Sequence, residues 1–392
     1  MARNEALANP QLLEWARRTA GYTPADAARR AHVSPHQLQE WEAGESRPTL
    51  AKLRDLADLY KRPLAVFYLE QAPPDDPLLP DFRRRPATAI SGFSPALRLA
   101  IRIARVRRAE ALELYQDLGA EPVAFSLSAR LQDNPETVAG VLRRVLTAVG
   151  EPPSGDPRAA FNYWRGAAEA CGVLVFQAED VRPEEMSGFS LSERPLPAVV
   201  LNIKEAYAAR SFSLCHELAH IMLGQNGVCD LHESGMADQR RTEVFCNHVA
   251  GAVLMPATQV LEQAETPRSQ AASVPDEVVV ALSKRFGVSR EAAVRRLVIL
   301  NCVSPSFYRR KRQQLLREYE ARAGRRKPGF APPPAMAIAR SGPLFTRLVL
   351  EAFDDERITA SDVSRFLGMK LKHLDQVRQK IHATPEGSAG VP

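Results

Sequence analysis

Apolar residues recur with helical spacing along most of the chain, and they cluster as in strands at only two places. Helical patterns cover five amphipathic segments within residues 11–62 and then residues 95–118, 135–149, 211–223, 240–254 and 341–382. The two short β-rich runs are GVLVFQ (172–177) and PAVVLN (197–202). Because a period near 3.6 residues indicates helices, the chain is predicted to be mainly α with a small β-sheet, an α+β fold.

Two proline-rich stretches, residues 71–86 and 324–336, interrupt these patterns. Stretches of this kind mark linkers between folded segments. We therefore expect five parts, which are an N-terminal all-α domain (1–70), a linker (71–95), a large central domain (96–305), a basic and proline-rich linker (306–340) and a small helical C-terminal region with a disordered tail (341–392).

Composition excludes several classes of protein. Apolar residues make up 45% of the chain and charged residues 25%, which is typical of a folded protein in water. No apolar run approaches the roughly 18 residues of a membrane span, and the polar N-terminal residues do not resemble a secretory signal. Five widely spaced cysteines do not form a disulfide framework. A cytoplasmic protein without a membrane partner is expected.

The net charge of +6 is unevenly distributed. Residues 83–108 contain eight arginines and no acidic residue, and residues 309–327 contain nine basic residues against two glutamates. Concentrated basic charge favours contact with phosphate or with an acidic partner. A solvated helix face next to an arginine-rich linker explains the same pattern, so both interpretations stay open.

The N-terminal segments have the layout of a helix-turn-helix. Thr23 is expected to cap one helix and Ser34 the next, with the turn at His32 and Val33. The motif W-E-x-G-x-x-x-P, which begins at Trp41, then completes a resemblance to the Cro/cI-type (XRE) helix-turn-helix family over about 55 residues. That resemblance implies DNA binding, with the expected contact residues His36, Gln37, Gln39, Glu40 and Arg47.

Charge is the weak point of the DNA-binding interpretation. Residues 11–62 contain nine basic against seven acidic side chains, whereas phosphate neutralisation supplies much of the affinity for DNA. The alternative is a helical docking or dimerisation module that does not bind DNA, and a homodimer is among the expected partners.

The segment SFSLCHELAHIMLG (211–224) contains the strongest chemical motif in the chain. His216 and His220 are four residues apart on a predicted apolar helix, so that their rings can reach one metal ion. Glu217 is placed to hold a water molecule rather than to ligate, as in H-E-x-x-H metallopeptidases. The alternative is that both histidines are hydrogen-bonded core residues.

A second predicted helix, TEVFCNHVAGAVLMP (242–256), offers a third ligand. Glu243 and Asn247 share one of its faces, and two histidines with one glutamate form a known catalytic zinc set. Asn247 would then hydrogen-bond a ligand or the neighbouring helix. The competing candidates for third ligand are Cys229, Asp230, His232, Cys246 and His248. Zinc is the expected ion, with manganese as an alternative.

These motifs together resemble the ImmA/IrrE metallopeptidase family. The resemblance rests on PAVVLN, on FSLCHELAHIML and on the pattern E-x-x-x-N-x-x-A-x-x-x-L-M-P, and it extends to VVVALSKRFGVSREAAVRRL. It implies a zincin-like domain and a zinc endopeptidase that cleaves an XRE-type repressor and so relieves repression. It also implies that His216, His220 and Glu243 bind the metal and that Glu217 is the general base.

Several details are left as expectations. The strand PAVVLN is expected beside the metal-binding helix, with an edge that could pair with substrate. Tyr207 and His232 are candidates for stabilising the oxyanion. Cys215 is either a redox-sensitive thiol or, more simply, a small buried residue. Residues 276–299 again predict a helix-turn-helix, which in the resembled family belongs to the peptidase region.

Two further functional hypotheses stay open. One is a DNA-binding regulator whose peptidase-like domain serves only as a sensor or a dimerisation body. The other is self-cleavage within residues 71–95.

Overall fold

The computed structural model describes residues 5–73, 93–224, 236–264, 273–323 and 332–382. The chain divides into two compact units, Met1–Arg105 and Val106–Pro392. Most of the expected linker over residues 71–95 lies outside the described residues. Among the described residues no single helix has the length and apolar composition of a membrane span, although one pair joined by a 59° bend, Arg241–Leu254 and Ala257–Gln263, meets these criteria together.

The first unit contains a small helical core. Its helices are α1 (Pro10–Ala20), α2 (Pro24–Arg30), α3 (Pro35–Ala43) and α4 (Leu50–Tyr60). The side chains of Thr23 and Ser34 cap α2 and α3 as predicted. Five helical segments were expected up to residue 62, but Lys61 adopts a left-handed conformation after α4. Pro63 follows it, and the next element is a 3-10 helix at Leu64–Tyr68.

The second unit is a helical body around a small sheet, as the predicted fold class requires. Its first helices are α5 (Pro95–Asp117), which crosses the boundary between the units, α6 (Pro135–Leu146) and α7 (Pro157–Ala170). The strands β1 (Leu174–Ala178), β2 (Gly188–Leu191) and β3 (Ala198–Asn202) follow. The remaining helices are α8 (Tyr207–Leu223), α9 (Met236–Leu254), α10 (Ala257–Ala264), α11 (Asp276–Phe286), α12 (Arg290–Ile299), α13 (Pro305–Ala323), α14 (Pro333–Ser341), α15 (Pro343–Asp354), α16 (Ala360–Leu367) and α17 (Leu374–His382).

The three described strands are arranged in the order β1-β3-β2. Strand β3 pairs in parallel with β1, with Leu174 opposite Ala198, and antiparallel with β2, with Phe189 opposite Val200. Both predicted β-rich runs are therefore strands. The sequence expectation that β3 offers a free edge is wrong, because β3 is hydrogen-bonded on both sides.

Helix α8 lies in the interior between other elements. It packs against α7 and α9 and against strands β2 and β3. Almost every side chain from Ser211 to Met222 is buried. A helix buried all round is normally apolar, so its polar residues require partners within the fold.

An ion pair between a buried arginine and a partly exposed glutamate connects α9 to its neighbours. Arg296 on α12 is 1% exposed and forms a two-point ion pair with Glu136 at the start of α6, with 2.8 Å between Nη2 and Oε2. Its Nε also donates to the carbonyl oxygen of Met255, at the end of α9 (2.8 Å). His248 of α9 reaches the same carboxylate, with 2.7 Å between Nε2 and Glu136 Oε1. Helices α6, α9 and α12 are thereby tied at one point.

The C-terminal part of the chain forms helices that pack on the sheet. Helices α14 and α15 pack against β1. Thr359 caps α16 through a reciprocal arrangement with Asp362, and Gly368 ends that helix in a left-handed conformation. Helix α13 includes the basic stretch that begins at residue 309 as far as Ala323, where this described range ends.

Candidate metal centre

His216 and His220 lie on consecutive turns of α8, and their ring nitrogens face each other. Their Nε2 atoms are 3.0 Å apart and their ring centroids 4.7 Å apart. His216 is fully buried and His220 is 7% exposed. The phenyl ring of Phe212 stacks on His216 at 6.4 Å, which fixes the plane of that imidazole. Two imidazole nitrogens are therefore directed to one point.

Glu243 brings a carboxylate to the same point from α9. Its Oε2 is 3.4 Å from His216 Nε2, and its Oε1 is 3.2 Å from His220 Nε2. One ligand atom from each of the three residues lies within 4.8 Å of the others. Two imidazole nitrogens and one carboxylate oxygen form a donor set that suits zinc and other divalent ions of its class. The cluster can hold a metal ion.

The electrostatics of the cluster favour a bound positive charge. Burial acts to lower the pKa of His220, but interactions with Cys246, Glu243 and Glu217 outweigh burial and raise this pKa well above its usual value. These neighbours stabilise positive charge at His220, and a bound divalent metal ion would supply positive charge at the same place. Cys246, one of the sequence candidates for third ligand, is fully buried and hydrogen-bonds His220. It is therefore a neighbour of the cluster of His216, His220 and Glu243 and not a member of it.

Glu217 lies beside the three residues and is held by the sheet. It is 2% exposed, and the hydroxyl of Ser190 on β2 donates to its Oε2 at 3.1 Å. A Cβ atom at Gly188 would lie 3.3 Å from Glu217 Oε1 and Cγ, so a larger residue there would press on this side chain. The position of Glu217 is thus set by β2 as well as by α8.

The other sequence candidates fall into three groups. His248 binds Glu136 and faces away from the cluster, as expected from its helical position. Tyr207 stacks on Arg210 (4.1 Å) and is not brought to the cluster, because it begins α8, nine residues before His216, about 13 Å along the helix axis. Cys229, Asp230 and His232 lie outside the described residues.

Asn247 lies one turn after Glu243 on the same face of α9. Its Oδ1 is buried and accepts no hydrogen bond from the described residues. The expected hydrogen bond to a ligand or a neighbouring helix stays a prediction, and a buried amide oxygen without a donor would also accept one from a water molecule.

Cys215 is fully buried in the apolar core. Burial raises the pKa of its thiol to about 12, so the reactive thiolate is disfavoured at neutral pH. This environment supports the interpretation of Cys215 as a small core residue.

Strand β2 forms one edge of the described sheet and lies against α8. It is hydrogen-bonded to β3 on one side, and its Ser190 contacts Glu217. Among the described strands, the edge next to the cluster that has no further strand paired to it therefore belongs to β2 and not to β3. Neither β2 nor the role of Ser190 was predicted, because a four-residue strand leaves little pattern in a sequence.

The predicted DNA-contacting residues lie in the first unit. His36 is exposed over 83% of its side chain and faces Glu40, with 3.4 Å between Nδ1 and Oε1. Gln37, Gln39 and Arg47 are also exposed, whereas Glu40 is half-buried. Glu42 pairs with Arg17 of α1 through two contacts of 2.8 and 2.9 Å, so this glutamate has a structural role in the helix-turn-helix.

Comparison with known families matches two separate segments of the chain, one in each unit. Residues 11–66 match the model of a helix-turn-helix domain, and residues 168–298 match the model of the IrrE N-terminal-like domain, a peptidase family. A search of curated proteins gives no match to the chain. The second range runs from β1 into α12 and hence contains the three residues of the cluster and their neighbour Glu217. The chain therefore carries an N-terminal segment that matches a helix-turn-helix domain and a central segment that matches an IrrE N-terminal-like peptidase domain, an arrangement that agrees with the ImmA/IrrE and XRE resemblance of its motifs.

Proposed function

We propose that the chain is a zinc endopeptidase that cleaves an XRE-type repressor, and that its N-terminal domain binds DNA. The observation that carries the catalytic part is the convergence of His216, His220 and Glu243 with Glu217 buried beside them. A buried carboxylate that lies next to a metal-binding set but outside it is what hydrolysis with a general base requires.

His216, His220 and Glu243 would hold the ion, which when bound supplies Lewis acidity toward a water molecule and a substrate carbonyl. Glu217 would accept the proton of the attacking water at a carboxylate oxygen and then donate it to the leaving amine. Ser190 keeps the other oxygen in a fixed orientation. The burial of the site excludes bulk water and so strengthens these interactions.

The substrate would bind in an extended conformation along β2. The outer edge of a strand offers backbone N–H and C=O groups to a peptide, and β2 places this edge next to Glu217. Backbone pairing would align the scissile amide without demanding a particular side chain.

The N-terminal domain would contact DNA through α3. Its exposed side chains His36, Gln37 and Gln39 are of types that hydrogen-bond base edges, while Arg47 suits phosphate. Glu40, which faces His36, would orient that imidazole. Linked to the peptidase, such a domain would bring the enzyme to the promoters that its substrate occupies.

The test uses the full-length protein with an XRE-type repressor encoded beside its gene. We expect about one zinc ion per chain by elemental analysis and cleavage of the repressor on incubation. Chelation should abolish cleavage, and added zinc or manganese should restore it. The variant His216→Ala should lose both metal and activity. Stoichiometric metal with no cleavage of any neighbouring repressor, together with tight operator binding, would instead support a regulator without proteolysis.

Ser190 offers a further test of the arrangement around Glu217. We expect Ser190→Ala to lower kcat about tenfold with KM nearly unchanged, because one hydrogen bond to an ionised group contributes about 1.5 kcal/mol. Ser190→Thr retains the hydroxyl and should restore most of the rate. Equal loss of activity in both variants would show that Ser190 acts by packing alone.

A further inference from the structure

The segment formed by α16 and α17 repeats the local geometry of the other two helix-turn-helix segments, α2–α3 and α11–α12. In each, the turn contains a residue with positive φ: His32 (54°), Gly287 (63°) and Gly368 (58°). In each, the next backbone N–H donates to the carbonyl five residues earlier, namely Val33 to Ala28 (3.0 Å), Val288 to Ser283 (3.1 Å) and Met369 to Ser364 (3.2 Å). The three turns are therefore of one type.

The likeness extends to side chains. Ser283 donates to the carbonyl oxygen of Val288 at 2.7 Å, and Ser364 donates to that of Met369 at 2.6 Å. Buried positions also coincide when they are counted from the turn residue of each segment, which is His32, Gly287 or Gly368. The fifth residue before it, the residue directly before it and the ninth residue after it are buried in all three segments. They are Ala27, Ala31 and Trp41, then Leu282, Phe286 and Arg296, and then Val363, Leu367 and Val377. The same three positions therefore face the interior in all three segments.

The outward face of the second helix differs between the two later segments. In α12 this face is covered by α13: Arg290 pairs with Glu318 (2.6 Å), Glu291 accepts from Tyr308 (3.0 Å), and Val294 is buried. The equivalent positions of the last segment are Leu371, Lys372 and Asp375, and all three are exposed. The α11–α12 segment is thus a packed part of the peptidase body, whereas the last segment presents its face to solvent.

The charge of this exposed face suits a polyanion. Residues 359–382 contain five basic and two acidic side chains, of which Arg365 pairs with Asp362 and Arg378 pairs with Asp354 of α15, so that the lysines carry the remaining positive charge. Lys370 and Lys372 are exposed at the short 3-10 helix Leu371–His373 that leads into α17, and Gln376 and Gln379 are exposed on α17 itself. Lysine neutralises phosphate, and glutamine can pair with adenine in the major groove. A surface for a folded protein partner would be expected to carry aromatic anchors, whereas the exposed apolar residue at the start of this helix is Leu371.

We propose that residues 359–382 are a second DNA-binding helix-turn-helix, in which Lys370 and Lys372 contact phosphates and Gln376 and Gln379 contact bases of double-stranded DNA. The segment packs on α14 and α15, which in turn pack on β1. Strand β1 is the described sheet edge opposite β2, so bound DNA would lie away from the metal centre and leave it accessible. The proposal is independent of peptidase activity.

The test measures binding of the full chain to DNA duplexes selected from a random library, by fluorescence anisotropy between 50 and 300 mM salt. We expect Lys370→Glu/Lys372→Glu to weaken binding about tenfold or more and to lower the salt dependence by about two phosphate contacts. Gln376→Ala/Gln379→Ala should relax sequence preference with a smaller loss of affinity. The matched control Arg130→Glu/Arg144→Glu, which reverses two exposed charges elsewhere in the same unit, should bind as wild type.

The same measurements in a Gln37→Ala/Gln39→Ala background separate this site from the N-terminal domain. A further loss caused by Lys370→Glu/Lys372→Glu in that background supports the proposal. Wild-type affinity of Lys370→Glu/Lys372→Glu for every selected duplex overturns it. Loss of self-association or of repressor binding with unchanged DNA affinity also overturns it, in favour of a protein partner. Circular dichroism should show that these substitutions of exposed residues leave the fold intact.

Discussion

Replacing Glu217 by glutamine is expected to reduce kcat for repressor cleavage by roughly 10²–10⁴-fold, the range that a general base contributes. Glutamine has nearly the same shape and keeps the packing against Gly188 and the bond from Ser190. It has no carboxylate that could accept the proton of water. The measurement is the initial rate of cleavage at equal, saturating metal.

Metal content separates this effect from a disrupted site. Because the convergent ligand atoms belong to His216, His220 and Glu243, Glu217→Gln should bind metal as the wild type does. Glu184→Gln, at an exposed glutamate before β2, should keep its rate within about twofold, since surface substitutions rarely perturb a fold. A Glu217→Gln variant with wild-type kcat would remove this residue from the mechanism.

Replacing Arg296 by alanine is expected to lower the free energy of unfolding of the second unit by about 2–4 kcal/mol. The substitution leaves the carboxylate of Glu136 and the carbonyl oxygen of Met255 without their buried donor, and loss of one partner of such a pair is costly. The expected loss of stability is smaller than for a fully buried ion pair because the Glu136 side chain is 37% exposed. Urea denaturation at pH 7 measures it.

The difference between variant and wild type should also depend on pH. Hydrogen bonds from Arg296, and a weaker one from His248, lower the pKa of Glu136 from 4.5 to about 2 against the opposing effect of burial. A lowered carboxyl pKa stabilises the fold above pH 4.5, and this contribution disappears as pH falls from about 4.5 toward 2. Arg295→Ala, at the exposed neighbouring position, should change stability by less than about 0.5 kcal/mol at any pH. An equal loss in both variants would contradict the role assigned to Arg296.

The local elements and the convergence of the two histidines with Glu243 were predictable from sequence because they depend largely on short spacing rules. His216 and His220 are four residues apart, and one turn of helix brings them together wherever that helix lies. Glu243 required the additional assumption that α9 packs against α8, which the structure confirms. The caps at Thr23 and Ser34 depend on neighbouring residues alone and were also predicted correctly.

Features that depend on distant parts of the chain were not predictable. The order of strands in the sheet follows from tertiary packing, so the open edge was assigned to β3 instead of β2. The bond from Ser190 to Glu217 joins residues 27 apart, and the pair of Arg296 with Glu136 joins residues 160 apart. No spacing rule reaches such distances, since each contact requires the whole fold to be in place.

Under the proposed function, the short outer edge of β2 would also limit which proteins can be cut. A chain that pairs with it must give up its own helical or sheet hydrogen bonds over several residues, and a natively folded target resists this because its backbone groups are already satisfied. Only the flexible hinges, termini or transiently opened segments of a target would enter. Selectivity would then depend on local unfolding of the target. An event that destabilises the repressor would by itself make the repressor susceptible to cleavage.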